Sequence, residues 1–167
     1  MNAVDILKYG HLTVKGTLAR VPVSAWNTGG VCGVWSVKQI IAHLSTYEEL
    51  LVEILGSFLG SEESSRLERY LQLGPRFNDI TVAERDGLSA EETLAEYGRH
   101  HAEVMHLIPQ LPVELLRQPG TLPWYGAEYS LDDYLVYQFY GHKREHSAQI
   151  AVYADVVEQE GLSSATV

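Results

Sequence analysis

The chain is poor in cysteine: Cys32 is the only one in 167 residues. That excludes an intrachain disulfide and any metal cluster built on paired cysteines. A lone thiol suits a reducing compartment, and Cys32 itself reads as a small buried apolar residue or an inert loop thiol. Long hydrophobic runs are lacking too, because His, Glu or Gly interrupts each apolar stretch. None approaches the roughly 18 residues of a membrane-spanning helix, so no membrane partner is expected. Met1 to Asp5 offers neither the basic start nor the apolar run of a signal peptide, which makes the cytoplasm the expected location. Basic residues are scarce: 12 Lys and Arg against 22 Asp and Glu leave a formal net charge of -10. A nucleic-acid partner needs a basic surface to displace counterions, and Lys143-Arg144 is only a local pair. Internal repeats and low-complexity segments are absent as well. The length suits a single domain over residues 1–167 with one continuous core.

What is present is helical periodicity. Gly and Pro cluster between four long amphipathic stretches, about Ala3 to Arg20, Ser36 to Leu59, Ala90 to Ile108 and Ser130 to Glu160. Ser36 with Gln39 forms a candidate capping box, with Trp35 and Ile40 placed for a hydrophobic staple. Ser130 with Asp133, flanked by Tyr129 and Tyr134, repeats the pattern, and Asp132 and Asp133 put negative charge where the helix dipole favours it. The link from Gly60 to Ser89 is too long for a tight hairpin, and Glu62 to Leu71 is a candidate short helix within it. A link of that length can cross the whole of a helix, so helices two and three are expected to run parallel. The expected fold is an all-α four-helix bundle, up-down-down-up, with a long crossover between helices two and three.

Histidines lie on the inward stripes of this pattern. Helix two reads Ile40, His43/Leu44, Tyr47, Leu51, Ile54, Phe58, and helix four reads Leu135, Gln138/Phe139, His142, His146, Gln149/Ile150, Tyr153. His142 and His146 are four apart and stack one turn from each other, an arrangement in which two imidazoles can grip one ion. His43 lies roughly 10 Å into helix two and His146 roughly 21 Å from the end of helix four, at 1.5 Å per residue. Antiparallel packing of those helices brings the residues to comparable depth. The pattern permits a three-histidine metal site without requiring it, since an inward histidine also serves as a core residue satisfied by one hydrogen bond. Burying three without polar partners, however, costs several kcal/mol. His11 falls on the inward stripe of helix one. His100, His101 and His106 spread around helix three with His101 inward, and packing or solvated roles are expected for them.

The segment Trp35-Ser36-Val37-Lys38-Gln39-Ile40-Ile41-Ala42-His43-Leu44 resembles the second-helix signature of the DinB-like proteins. Gly141-His142-Lys143-Arg144-Glu145-His146-Ser147-Ala148-Gln149-Ile150 resembles their C-terminal His-x-x-x-His segment. Leu122-Pro123-Trp124-Tyr125-Gly126 is similar to the approach to helix four in the branch near the mycothiol-dependent maleylpyruvate isomerase N-terminal domain. The resemblance covers most of the chain in order and spacing. It implies an up-down-down-up bundle, a site for nickel, zinc or a similar divalent ion on His43, His142 and His146, and a homodimer. It further implies transfer of a low-molecular-weight thiol such as bacillithiol or mycothiol in some members and metal-dependent hydrolysis in others. A ClbS-like branch shares the fold and works without this metal site, so fold alone does not choose the chemistry.

Three neutral imidazoles leave coordination positions open, as catalytic rather than structural sites do. The open position can hold water for hydrolysis or a thiolate as nucleophile, and the ion can polarise a substrate carbonyl. Tyr47 and Gln138 are candidate catalytic partners, each one turn from a ligand, with packing as the competing role. Glu145 projects about 100° away from His146 and reads as a solvated side chain that can also orient a ligand. Trp124 and Tyr125 are candidate walls of a substrate pocket or anchors of their loop. The leading expectation is a metal-dependent thiol S-transferase or hydrolase acting on a small molecule. The competing ones are a non-catalytic metal-binding or dimerising stress-response module and a metal-free hydrolase.

Overall fold

Side-chain acceptors that satisfy free N–H groups start the long helices. The computed structural model describes residues 2–164, so the ends of the expected 1–167 unit lie outside the described residues. Asn2 accepts from Asp5 N–H ahead of α1 (Ala3–Leu18). Ser36 and Gln39 close a capping box ahead of α2 (Val37–Phe58), and Trp35 packs on the core cluster that contains Ile40. The crossover then builds α3 (Ser65–Leu73) and α4 (Phe77–Ala83) before a third box, Ser89 with Glu92, opens α5 (Ala90–Leu107). A short α6 (Val113–Arg117) follows. Ser130 and Asp133 cap α7 (Leu131–Leu135), which passes through a π turn at Val136–Gly141 into α8 (His142–Ser164). Among the described residues the only bridge is an isolated one between Cys32 and Trp35, and the class is all-α.

Three differences from the sequence reading have physical causes. The expected helix Glu62 to Leu71 begins at Ser65, because Glu53 on α2 accepts the N–H groups of Arg66 and Leu67 at 2.9 Å and supplies the cap that Ser64 does not. Helices α4 and α6 are too short to show periodicity. The fourth long helix is not one α-helix. Its π turn ends directly on His142, and a Cβ on Gly141 would stand 3.3 Å from the Val136 carbonyl oxygen. Such turns are rare and occur frequently at functional sites.

The main packing pairs are α2 on α5 and α1 on α8. Lys38 Nζ donates to Leu88 O, Ser45 Oγ to Glu96, and His101 meets Glu48, so pairings advance in step along α2 and α5. Gly10 faces Lys143 and Arg20 pairs with Asp155, an advance in step along α1 and α8. Along α1 and α2 the order reverses: Ala3 and Leu7 share a core cluster with Leu50 to Leu55, while Val14 and Leu18 share the other with Val37 to Leu44. Along these pairings α2 and α5 run parallel, as do α1 and α8, and α1 and α2 run antiparallel.

Arg85 ties the crossover to the bundle. It donates to Glu96 at 2.7 Å and Glu49 at 3.0 Å and is itself 7% exposed. Arg66 adds a bond to the same Glu49 at 2.8 Å. Removing Arg85 leaves two partly buried carboxylates without their counter-charge. Arg85→Ala is expected to lose about 2 kcal/mol in urea unfolding, less than a fully buried pair because Glu49 reaches water. Arg20→Ala, which breaks an exposed pair with Asp155, is expected to leave the midpoint unchanged.

Candidate metal centre

Capping sets the faces of the two helices that carry the histidines. The box at Ser36 fixes the start of α2, and with it the inward azimuth of His43, whose side chain is 2% exposed. On α8, His146 is buried and His142 half-buried. Their imidazoles converge: His43 Nε2 lies 2.8 Å from His142 Nε2, which lies 2.9 Å from His146 Nε2. One ring nitrogen from each residue falls within 4.8 Å of both others. Among the described residues no carboxylate or thiol joins this group.

The surroundings set one of the three tautomers and the charge of all three rings. His146 Nδ1 meets Gln149 Oε1 at 2.8 Å, so the ring donates there and leaves the Nε2 lone pair facing the centre. Nδ1 of His43 and of His142 is buried without a hydrogen-bond partner. Burial, and then the neighbouring rings His142 and His146, lower the His43 pKa to about 2. Burial and His146 lower His142 to about 4, against the opposing pull of the Gln138 carbonyl. Burial lowers His146 as well, with Gln149 and Glu145 opposing. All three rings are therefore neutral near pH 7, the form that binds a metal. Three neutral nitrogen donors, with His142 Nε2 within hydrogen-bond distance of both others, are a donor set that can hold a metal ion.

The other expected site residues fall at graded distances. The Tyr47 ring packs edge-on against His43 at 4.9 Å and His142 at 5.0 Å, but its hydroxyl donates to Asn78 Oδ1 at 3.2 Å. Burial first, then Tyr70, raises its pKa to about 12, the Asn78 bond opposing. Gln138 is half-buried and approaches His142 through its backbone carbonyl. Glu145 is exposed. Trp124 and Tyr125 line a cavity of about 270 Å³ with Tyr70, Leu71 and Gly74, and no histidine lines it. Tyr70 links the two regions, its ring 5.9 Å from Trp124 and 6.3 Å from Tyr47. The loop that carries this wall closes through Gly120 N–H to Tyr129 O at 2.8 Å and turns at Gly126, φ 139°, where a Cβ would meet the Tyr129 ring at 2.9 Å.

Several residues that matter here were not singled out from the sequence. Gln149 was visible only as a stripe residue, although its position three after His146 is the spacing at which helical side chains meet. Asn78 lies in the crossover, where no periodic signal exists. Trp35, read as a staple, also closes over His43 at 5.0 Å.

A family model for the DinB superfamily matches residues 13–150, most of the chain and all three histidines. No curated protein and no solved structure matches.

The depressed pKa values set a pH dependence. Between about pH 4 and 6.5 the unfolded chain binds protons on His43 and His142 that the folded rings refuse, so stability rises with pH across that window. Metal-stripped protein is therefore expected to lose Tm steadily from pH 7.5 to 5. His43→Gln is expected to flatten that slope, and scanning calorimetry across the range checks both.

Proposed function

The chain belongs to the DinB superfamily, and on that premise we propose that it is a metal-dependent enzyme acting on a small molecule at His43, His142 and His146. The placement of His142 Nε2 2.8 Å from His43 Nε2 and 2.9 Å from His146 Nε2 carries the reading. An ion held there would supply Lewis acidity, lowering the pKa of a bound thiol or water and polarising a carbonyl. Nickel or zinc suits three neutral imidazoles. His43 from α2 and His142 from α8 bring their Nε2 atoms together, and Gln149 holds the His146 tautomer. Tyr47 screens the centre from water on one side. Trp124, Tyr125 and Tyr70 offer an aromatic seat of mixed polarity for the organic part of a substrate.

Transfer of a low-molecular-weight thiol is the activity this arrangement favours over hydrolysis. Water attack profits from a carboxylate base beside the ion, and among the described residues no carboxylate belongs to the group. A thiol bound to the ion would have its pKa lowered enough to give its proton to solvent at neutral pH, and so would need no such base. A cytoplasmic setting, which the free Cys32 supports, would supply such thiols; no described helix is long and apolar enough to cross a membrane. Homodimer formation belongs to the same proposal. Tyr9 and Leu12 on α1, and Val152 and Val156 on α8, leave apolar side chains in solvent on two neighbouring helices.

Purified protein is expected to carry close to one divalent ion per chain, and His43→Ala, His142→Ala and His146→Ala each to lose most of it by elemental analysis. Consumption of an electrophile with bacillithiol, mycothiol or cysteine is expected to stop on chelation and return with the metal. Bound metal without turnover would favour a binding module instead, and turnover that survives chelation would favour a metal-free hydrolase. Light scattering is expected to give a dimer mass; a clean monomer contradicts that part.

A further inference from the structure

Beside the histidine triad, a second polar cluster draws one group from each of the four long helices. Glu48 on α2 has no exposed surface and Lys143 on α8 is 2% exposed, and the two form an ion pair through Oε1 and Nζ. The other carboxylate oxygen of Glu48 meets His101 Nδ1 of α5 at 3.2 Å. The His101 ring lies flat on His11 of α1, centroids 3.8 Å apart and planes within 3°. Burial pushes the Glu48 carboxyl up, but Lys143 and His101 together outweigh it and bring it to about 2, so the carboxylate is ionised at neutral pH.

Two charges without water have essentially one acceptable separation, because displacing either leaves it uncompensated in a low-dielectric interior. The pair is thus a rigid strut between α2 and α8, the same two helices whose histidines converge. Lys143 follows His142 directly, and successive residues on a helix are about 100° apart, so anchoring Lys143 fixes the direction of His142. One turn on, Ser147 Oγ donates to Lys143 O at 2.7 Å beside His146. Helix α1 leaves room for the Lys143 stem only because residue 10 is glycine: a Cβ there would stand 3.2 Å from Lys143 Cδ.

We propose that the Glu48–Lys143 pair, braced by His101, is a positioning device that holds the His142/His146 face of α8 toward His43 and thereby sets metal affinity. The proposal rests on the metal-centre reading above. A pair that served stability alone would alter the folded fraction but not the affinity of the folded protein.

The test measures Zn²⁺ affinity of the full chain by competition with a chromophoric chelator at pH 7.5, alongside Tm. Glu48→Gln and Lys143→Met are each expected to bind about tenfold more weakly or worse, the range for residues that orient ligands. The double variant Glu48→Met/Lys143→Leu removes both charges and is expected to keep a Tm near wild type, yet remain about tenfold weaker for zinc. Wild-type affinity in that folded double variant overturns the proposal and leaves the metal centre standing. If the double variant does not fold, Gly10→Ala decides, since it retains every charge and crowds the Lys143 stem. Several-fold weaker binding supports the positioning role, and unchanged affinity overturns it. A wild-type chain that binds no zinc overturns the metal reading, and this proposal with it.

Discussion

Three imidazole nitrogens from two helices must be held against one another in a region that water scarcely reaches, and most of the architecture serves that constraint. Neutral rings bring His142 Nε2 to 2.8 Å from His43 Nε2 and 2.9 Å from His146 Nε2, and with the His146 proton committed to Gln149 its Nε2 lone pair faces that shared centre. Such convergence is unfavourable unless a cation or proton occupies the middle. Helices α2 and α8 share little direct packing, since α2 rests mainly on α5 and α8 on α1. Their relative placement therefore has to come from elsewhere: the caps that fix where each begins, the π turn that ends on His142, and the buried Glu48–Lys143 pair that spans them.

Chemistry follows from the same economy of charge. The centre is built from neutral donors and lined by Trp35 and Tyr47 rather than by acids. The buried charge nearby is already paired. A bound ion would keep its full positive charge, which suits an anionic nucleophile such as a thiolate. The aromatic cavity at Trp124 and Tyr125 stands one ring removed from the triad, with Tyr70 and Tyr47 between them. On the proposed function, substrate body and reacting atoms would have separate seats, with Tyr47 at their border.

Much of this was legible in the sequence because it rests on local rules. Ser36 with Gln39 and Ser130 with Asp133 announced their helices, and both boxes are formed. Three-four spacing put His43, His142 and His146 inward, and they converge. What escaped depends on tertiary partners. Lys143 read only as half of a local basic pair, yet it is among the most buried side chains, because Glu48 supplies a charge that periodicity does not display. The π turn escaped because Val136 to Gly141 fits an α-helical pattern equally well until packing selects the wider turn. Helix α4 and Asn78 escaped because seven residues are too few to show a period.

X-ray absorption at the metal edge of zinc- or nickel-loaded protein tests the central claim most directly. The account predicts a first coordination sphere with three imidazole nitrogens and solvent, reduced by one imidazole in His43→Gln. A sphere of oxygen ligands alone, or a spectrum identical in the wild type and His43→Gln, would contradict it.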